Sequence, residues 1–193
     1  DISTKVVTKD DGSTYTAWDV SSVVKMNSMF SHADNFNQDL SSWDVSSVTN
    51  MASMFHDAKQ FNGDISSWDV SSVINMTYIF MGADSFNSDI SSWDVSSVTN
   101  MYGMFYRASS FNGNISSWDV SSATTIHQMF YGTTNFNQDI SGWNVSNLTE
   151  MIYLFALSNF NQDISSWDVS NVTDMSNMFR DNDNFNQDIS SWD

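Results

Sequence analysis

Tryptophan recurs at Trp18, Trp43, Trp68, Trp93, Trp118, Trp143, Trp167 and Trp192, every 25 residues except for one step of 24. Self-similarity at this period marks an array of like units that stack, because no single unit can bury its own apolar face. The short step has one location. Phe155 and Phe160 stand five apart where Phe55 and Phe61 stand six apart, which places a loop there. Residues 15–193 therefore read as a repeat array of about seven units. Residues 1–14 do not fit the repeat. Within them, Lys5-Val-Val-Thr8 followed by Asp10-Asp-Gly12 reads as a strand and turn of an N-terminal cap.

Two periods alternate inside each unit. Ile65, Trp68 and Val70 flank Asp69 in the manner of a short strand with one face inside. Val48, Met51, Met54, Phe55 and Ala58 recur at steps of three and four, which predicts a two-turn helix capped by Ser46 or Ser47. Phe61-Asn-Gly-Asp64 closes the unit as a turn. The fold class predicted is α/β: a right-handed leucine-rich-repeat-like solenoid with one short parallel strand and one short helix per 25-residue coil. Ile-x-x-Trp-x-Val stands where such repeats carry Leu-x-x-Leu-x-Leu.

Charge limits the partners. The chain carries 23 acidic residues against six basic ones, a net charge of −17, and Glu150 is its only glutamate. Such a surface repels nucleic acid and anionic lipid. Cysteine is absent, so no disulfide or thiolate metal site forms. No stretch has the length and apolarity of a membrane span.

Three rows of polar residues recur in register. Asn37, Asn62, Asn87, Asn112, Asn137, Asn161 and Asn186 form one, read as a structural ladder that satisfies backbone groups between coils. Asp44, Asp69, Asp94, Asp119 and Asp168, with Asp19 and Asp193 at the ends and Asn144 breaking the row, follow the tryptophans and are expected to face outward on a concave sheet. Neighbouring carboxylates at about 5 Å repel by roughly 1 kcal/mol in water. Either hydrogen bonds to serine and backbone amides offset this, or a row of cations or a basic partner does. A third row, Asp39, Asp64, Asp89, Asp139, Asp163 and Asp188, with Asn114 as the exception, suits Asx turns, with calcium bound between coils as the alternative. No dedicated metal site, catalytic residue or other cofactor is expected. His32, His56 and His127 do not share a repeat position, and no pair of acids stands apart from the rows.

Met54-Phe-x-x-Ala58-x-x-Phe61 is similar to a stretch of the BspA-like leucine-rich repeats. The run from Phe160 to Met175, Phe-Asn-Gln-Asp-Ile-Ser-Ser-Trp-Asp-Val-Ser-Asn-Val-Thr-Asp-Met, resembles the PARCEL-type repeat of bacterial surface proteins and mycoplasma lipoproteins. The resemblance extends from Tyr15 to Asp193. It implies a surface-exposed, extracellular protein that adheres to host components. One departure is the missing asparagine after the strand, where Ser72 and Val73 stand.

The function expected is that of a surface module binding a protein or glycan of a host or neighbouring cell. The alternative is a structural spacer, or a repeat that assembles end to end, with no ligand of its own. A binder predicts a localised break in the pattern, and a spacer predicts uniform coils. Ala52, Tyr78, Tyr102, Tyr106, His127, Tyr131 and Tyr153 vary around the predicted helix, and tyrosine favours interfaces. The chain ends in mid-unit at Trp192-Asp193, which predicts a fragment of a longer array.

Overall fold

Backbone hydrogen bonds between residues 24 or 25 apart organise the chain. The computed structural model describes residues 4–8 and 11–192. The N–H groups of Met26, Ser28, Phe30 and His32 donate to the carbonyls of Asn50, Ala52, Met54 and His56 at 2.6–2.9 Å. The N–H groups between them, of Met29, Ser31 and Ala33, fold back onto the carbonyls of Met26, Ser28 and Phe30. Half of the segment's donors thus close local turns, and the other half join one winding to the next. The same alternation recurs in later windings, for example at Met76, Tyr78, Phe80 and Gly82, which donate to Asn100, Tyr102, Met104 and Tyr106.

This arrangement overturns the predicted fold class. Among the described residues there is no helix, and the strands are β1 (Thr4–Thr8) and β2 (Thr14–Trp18). They pair antiparallel, with Val6 opposite Thr16. The leucine-rich-repeat solenoid, with a strand and a helix in every coil, is therefore not what the chain forms. The parallel sheet and the right-handed crossover inferred with it fall too. Among the described residues, parallel pairing occurs only as isolated bridges, at Lys25, Asn50, Asn75, Asn100 and Thr125 and between Glu150 and Asp174.

The physical reason lies in the backbone. Ser53 and Asp57 have φ of 57° and 54°, and the pair recurs at Tyr78 and Gly82, Gly103 and Arg107, and Gln128 and Gly132. A left-handed residue every fourth position cannot belong to a right-handed helix. The segment is instead a string of turns, which brings Val48, Met51, Met54, Phe55 and Ala58 to one side as a helix would. Three-and-four spacing reports which residues point inward, and both geometries satisfy it. The strand reading of Ile65–Val70 fails likewise. Trp68 and Val70 are buried about an exposed Asp69, but the Trp68 N–H closes a turn onto the Ile65 carbonyl at 3.2 Å.

Stacked aromatic columns fill the interior. Phe55, Phe80, Phe105, Phe130 and Phe155 follow one another at 5.7–5.8 Å between ring centroids. A parallel column runs through Phe61, Phe86, Phe111, Phe136 and Phe160 at 5.8–6.1 Å. Within one winding, Phe55 and Phe61 stack at 3.9 Å. The tryptophans from Trp43 to Trp167 are buried, whereas Trp18, in β2, is 47% exposed. The short repeat keeps both columns intact. Ser158 replaces the missing backbone contact: its hydroxyl accepts the Phe160 N–H at 3.3 Å and donates to the Phe155 carbonyl at 2.8 Å.

Candidate functional site

With no sheet across the windings, the aspartates after the tryptophans are held winding by winding. Asp44, Asp69, Asp94, Asp119 and Asp168 are exposed. Each accepts the backbone N–H of the serine two residues on, at 3.0–3.1 Å. At Asp44, Asp69, Asp94 and Asp168 the serine hydroxyl donates to the same oxygen at 2.6 Å. The Ser46 hydroxyl and amide hold the Asp44 carboxyl below the ordinary range, with Lys5 assisting and Asp19 opposing. Ser96, Ser121 and Ser170 do the same for Asp94, Asp119 and Asp168. Asp193 lies outside the described residues. The turn row behaves alike: Asp39, Asp64, Asp89, Asp139, Asp163 and Asp188 each accept a serine N–H at 2.9 Å.

The asparagine row is a chain of contacts between windings. The N–H groups of Asn62, Asn87, Asn112, Asn137, Asn161 and Asn186 each donate to Oδ1 of the asparagine one winding earlier, at 2.8–3.1 Å. Asn37, Asn62, Asn87, Asn112, Asn137 and Asn186 are exposed and Asn161 half-buried, so the row runs along the surface.

A different region breaks the repeat. The turns equivalent to residues 76–82 carry Tyr78, Tyr102, Tyr106, Tyr131 and Tyr153, which are every tyrosine but Tyr15, together with both arginines, Arg107 and Arg180. The five tyrosines are half-buried. Tyr78 meets Tyr102 edge-on at 5.0 Å, Tyr106 stacks on Tyr131 at 4.6 Å and 2°, and Tyr153 meets Tyr131 at 66°. The Arg107 guanidinium lies over the rings of Tyr106 and Tyr131 at 5.5 and 5.9 Å. Such contacts between a cation and a ring contribute about 0.5–1 kcal/mol at exposed sites. Burial, then the hydrogen bond and charge of Tyr102, push the Tyr78 phenol well above its ordinary pKa. Tyr106 is raised chiefly by burial, with Arg107 opposing. Hydrogen bonding to Tyr153 keeps the Arg180 guanidinium more firmly protonated. The Tyr78 and Tyr106 phenols thus stay neutral and the Arg180 guanidinium charged at physiological pH.

The sequence profile of a family described as "Mycoplasma protein of unknown function, DUF285" matches residues 6–113, 64–159 and 153–193. The chain belongs to that family. No curated protein and no solved structure matches it. The chain's own repeat carries the Trp-Asp-Val-Ser and Phe-Asn-x-Asp segments, which build the core and the surface hydrogen-bond rows. The tyrosines and arginines are laid over that frame at positions the repeat leaves variable.

Sequence reasoning placed the variable tyrosines around a helix, and the turns gather them into a stripe instead. It missed a histidine pair outright. His32 and His56 are 24 residues apart, the separation at which N–H and carbonyl groups join neighbouring windings, and His32 donates to the His56 carbonyl at 2.6 Å. That separation, one less than the repeat, was the available signal. A second histidine contact, His127 Nε2 to Glu150 Oε2 at 3.2 Å, lies farther along the stripe.

Proposed function

We propose that this chain is an extracellular surface module, without catalytic activity, that binds a protein or glycan of a host or neighbouring cell through its tyrosine and arginine stripe. The observation that carries this reading is the concentration of five of six tyrosines and both arginines on one set of turns, while the asparagine row is unbroken and each aspartate row changes at one place, to Asn144 and to Asn114. A spacer has no need of such a break. Tyrosine and arginine are enriched at interfaces, because rigid rings and planar guanidinium groups offer contact area at low entropic cost. The likeness of Phe160–Met175 to repeats of bacterial surface proteins supports the location. The outer surface is otherwise acidic, which disfavours nucleic acid and anionic membranes as partners. Among the described residues no helix is long and apolar enough to cross a membrane.

The test is retention of the labelled chain on cultured epithelial monolayers, compared with a Tyr106→Ser/Tyr131→Ser variant. The expected result is saturable binding that falls at least about tenfold in the variant, as loss of a central aromatic pair implies. Protease or glycosidase treatment of the cells then separates a protein from a glycan ligand. Equal retention of both chains, or none of either, overturns the proposal. Light scattering that grows with protein concentration, with no cell binding, would identify the self-assembling alternative.

A further inference from the structure

At the N-terminal end of the stripe, three ligating side chains from two windings converge. Asp57 Oδ2 lies 3.3 Å from His32 Nδ1 and 3.4 Å from His56 Nε2. The two imidazole centroids are 4.8 Å apart, with the planes inclined at 48°. Among the described residues, no other three histidine, aspartate or glutamate side chains bring their donor atoms this close together.

Three features define what this cluster can hold. The first is its dimensions. A tetrahedral ion with bonds of about 2.0–2.1 Å separates its ligands by about 3.3–3.4 Å, which both measured edges meet. An octahedral ion with the same bonds needs about 2.9 Å. The second is donor chemistry: two imidazole nitrogens and one carboxylate oxygen suit zinc and its neighbours, whereas calcium and magnesium take oxygen ligands. The third is the backbone. His32 and Asp57 are stacked equivalents with φ of 58° and 54°, and the ladder bonds of His32 and Asp57 to the carbonyls of His56 and Met81 hold the turns in place. In the next winding the equivalent position is Gly82, where a Cβ would collide with Asp57 Oδ1. The glycine leaves the carboxylate its room.

We propose that His32, His56 and Asp57 form a binding site for a divalent transition ion of the zinc class, with a fourth position facing outward. His32 is 67% exposed, so its ring is free to turn and close the third edge around an ion. This goes beyond the adhesive reading and does not depend on it. His127 and Glu150 supply only two groups and serve as the contrast.

The experiment is calorimetric titration of the untagged full chain with zinc in chelator-treated buffer at neutral pH, with cobalt(II) absorption as a geometric readout. One equivalent of zinc is expected, with the intense visible bands of tetrahedral cobalt. His32→Asn, His56→Gln and Asp57→Asn are each expected to weaken binding by at least about tenfold, since even losses outside the ligand shell cost that much. Asparagine tolerates the left-handed backbone at positions 32 and 57, so these two variants should keep the parent's far-ultraviolet spectrum and melting. His127→Gln should bind as the parent does. Zinc should raise the melting midpoint of the parent and not of Asp57→Asn. Absence of binding overturns the proposal, as does equal affinity in Asp57→Asn and His32→Asn. Displacement of zinc by an equal concentration of calcium overturns it too, since the acidic rows would then be the binders.

Discussion

Trp93 donates its indole N–H to the main-chain carbonyl of Ile65, 28 residues earlier, at 3.1 Å, and both groups are buried. The same bond recurs from Trp68 to Leu40, Trp118 to Ile90, Trp143 to Ile115 and Trp167 to Ile140. The Ile65 carbonyl already accepts the Trp68 N–H of its own winding at 3.2 Å, and the indole N–H fills its second lone pair while satisfying its own buried donor. Tryptophan is therefore required here for its donor as well as its bulk. Trp93→Phe should cost about 1–3 kcal/mol, combining the lost second hydrogen bond to the Ile65 carbonyl with lost volume. Trp18→Phe, on a half-exposed ring, should cost under about 1 kcal/mol. Urea denaturation of the two variants measures the difference, and equal costs would refute this role of the indole.

The backbone at Gly103 makes a second prediction. Its φ is 57°, and a Cβ there would run into the Tyr78 ring of the preceding winding. Gly103→Ala should destabilise by about 1–2 kcal/mol from the left-handed backbone alone, and by more from the clash. Truncating the ring with Tyr78→Ala should relieve the second contribution and not the first. A double-mutant cycle followed by thermal melting would show positive coupling between the two sites.

Acid sensitivity follows from the serine clamps. Asp94 is held below the ordinary value of 3.8 by the Ser96 hydroxyl and amide, against a smaller opposing effect of Asp119. A carboxyl whose folded pKa lies below its unfolded value contributes stability that is present above the unfolded value and lost as pH falls through the folded one. Stability from the clamped aspartates should therefore hold at neutral pH and decline below pH 3.8, as the carboxylates gain protons and the bonds weaken. Individual contributions are small, because these groups are exposed. Carboxyl titration by NMR should place Asp94 below 3.8, and Ser96→Ala should move it upward. An Asp94 that titrates identically in both chains would contradict the clamp.

The asparagine row yields a graded series. Asn112 Oδ1 accepts the Asn137 N–H at 3.1 Å and the Gln138 side-chain amide at 3.0 Å. Asn112→Ala removes the acceptor and should cost about 0.5–1.5 kcal/mol, limited because water replaces it at this exposed position. Asn112→Asp keeps an acceptor and should cost less at low pH than at neutral pH, where it adds charge to an already acidic surface. Chemical denaturation at the two pH values reads the distinction.

How much was legible beforehand varies by residue. Val48, Met51, Phe55, Trp68 and Val70 were identifiable as interior residues from spacing alone, and they are buried. Their local geometry was not legible. Serine at position 53 and aspartate at 57 gave no sign of a left-handed backbone, because the hydrogen bonds that impose it are made to Thr77, Ile79 and Met81 in the next winding. The histidine cluster was hidden for a related reason. His32 and His56 sit at adjacent repeat positions, and only a ladder offset of 24 brings one beside the other.

The sequence by itself determined that the chain repeats, which side chains form the interior, which aspartates and asparagines recur in register, and that tyrosine and arginine vary where the frame does not. Periodicity suffices for this, because hydrophobic burial depends on which residues face inward and not on how the backbone turns. Tertiary structure decided the rest. It replaced helix and strand with consecutive turns, since contacts between windings satisfy alternate donors that a helix would have used internally. It also drew His32, His56 and Asp57 to within ligating distance of one another, because neighbours across windings are fixed by backbone hydrogen bonds that no single repeat contains.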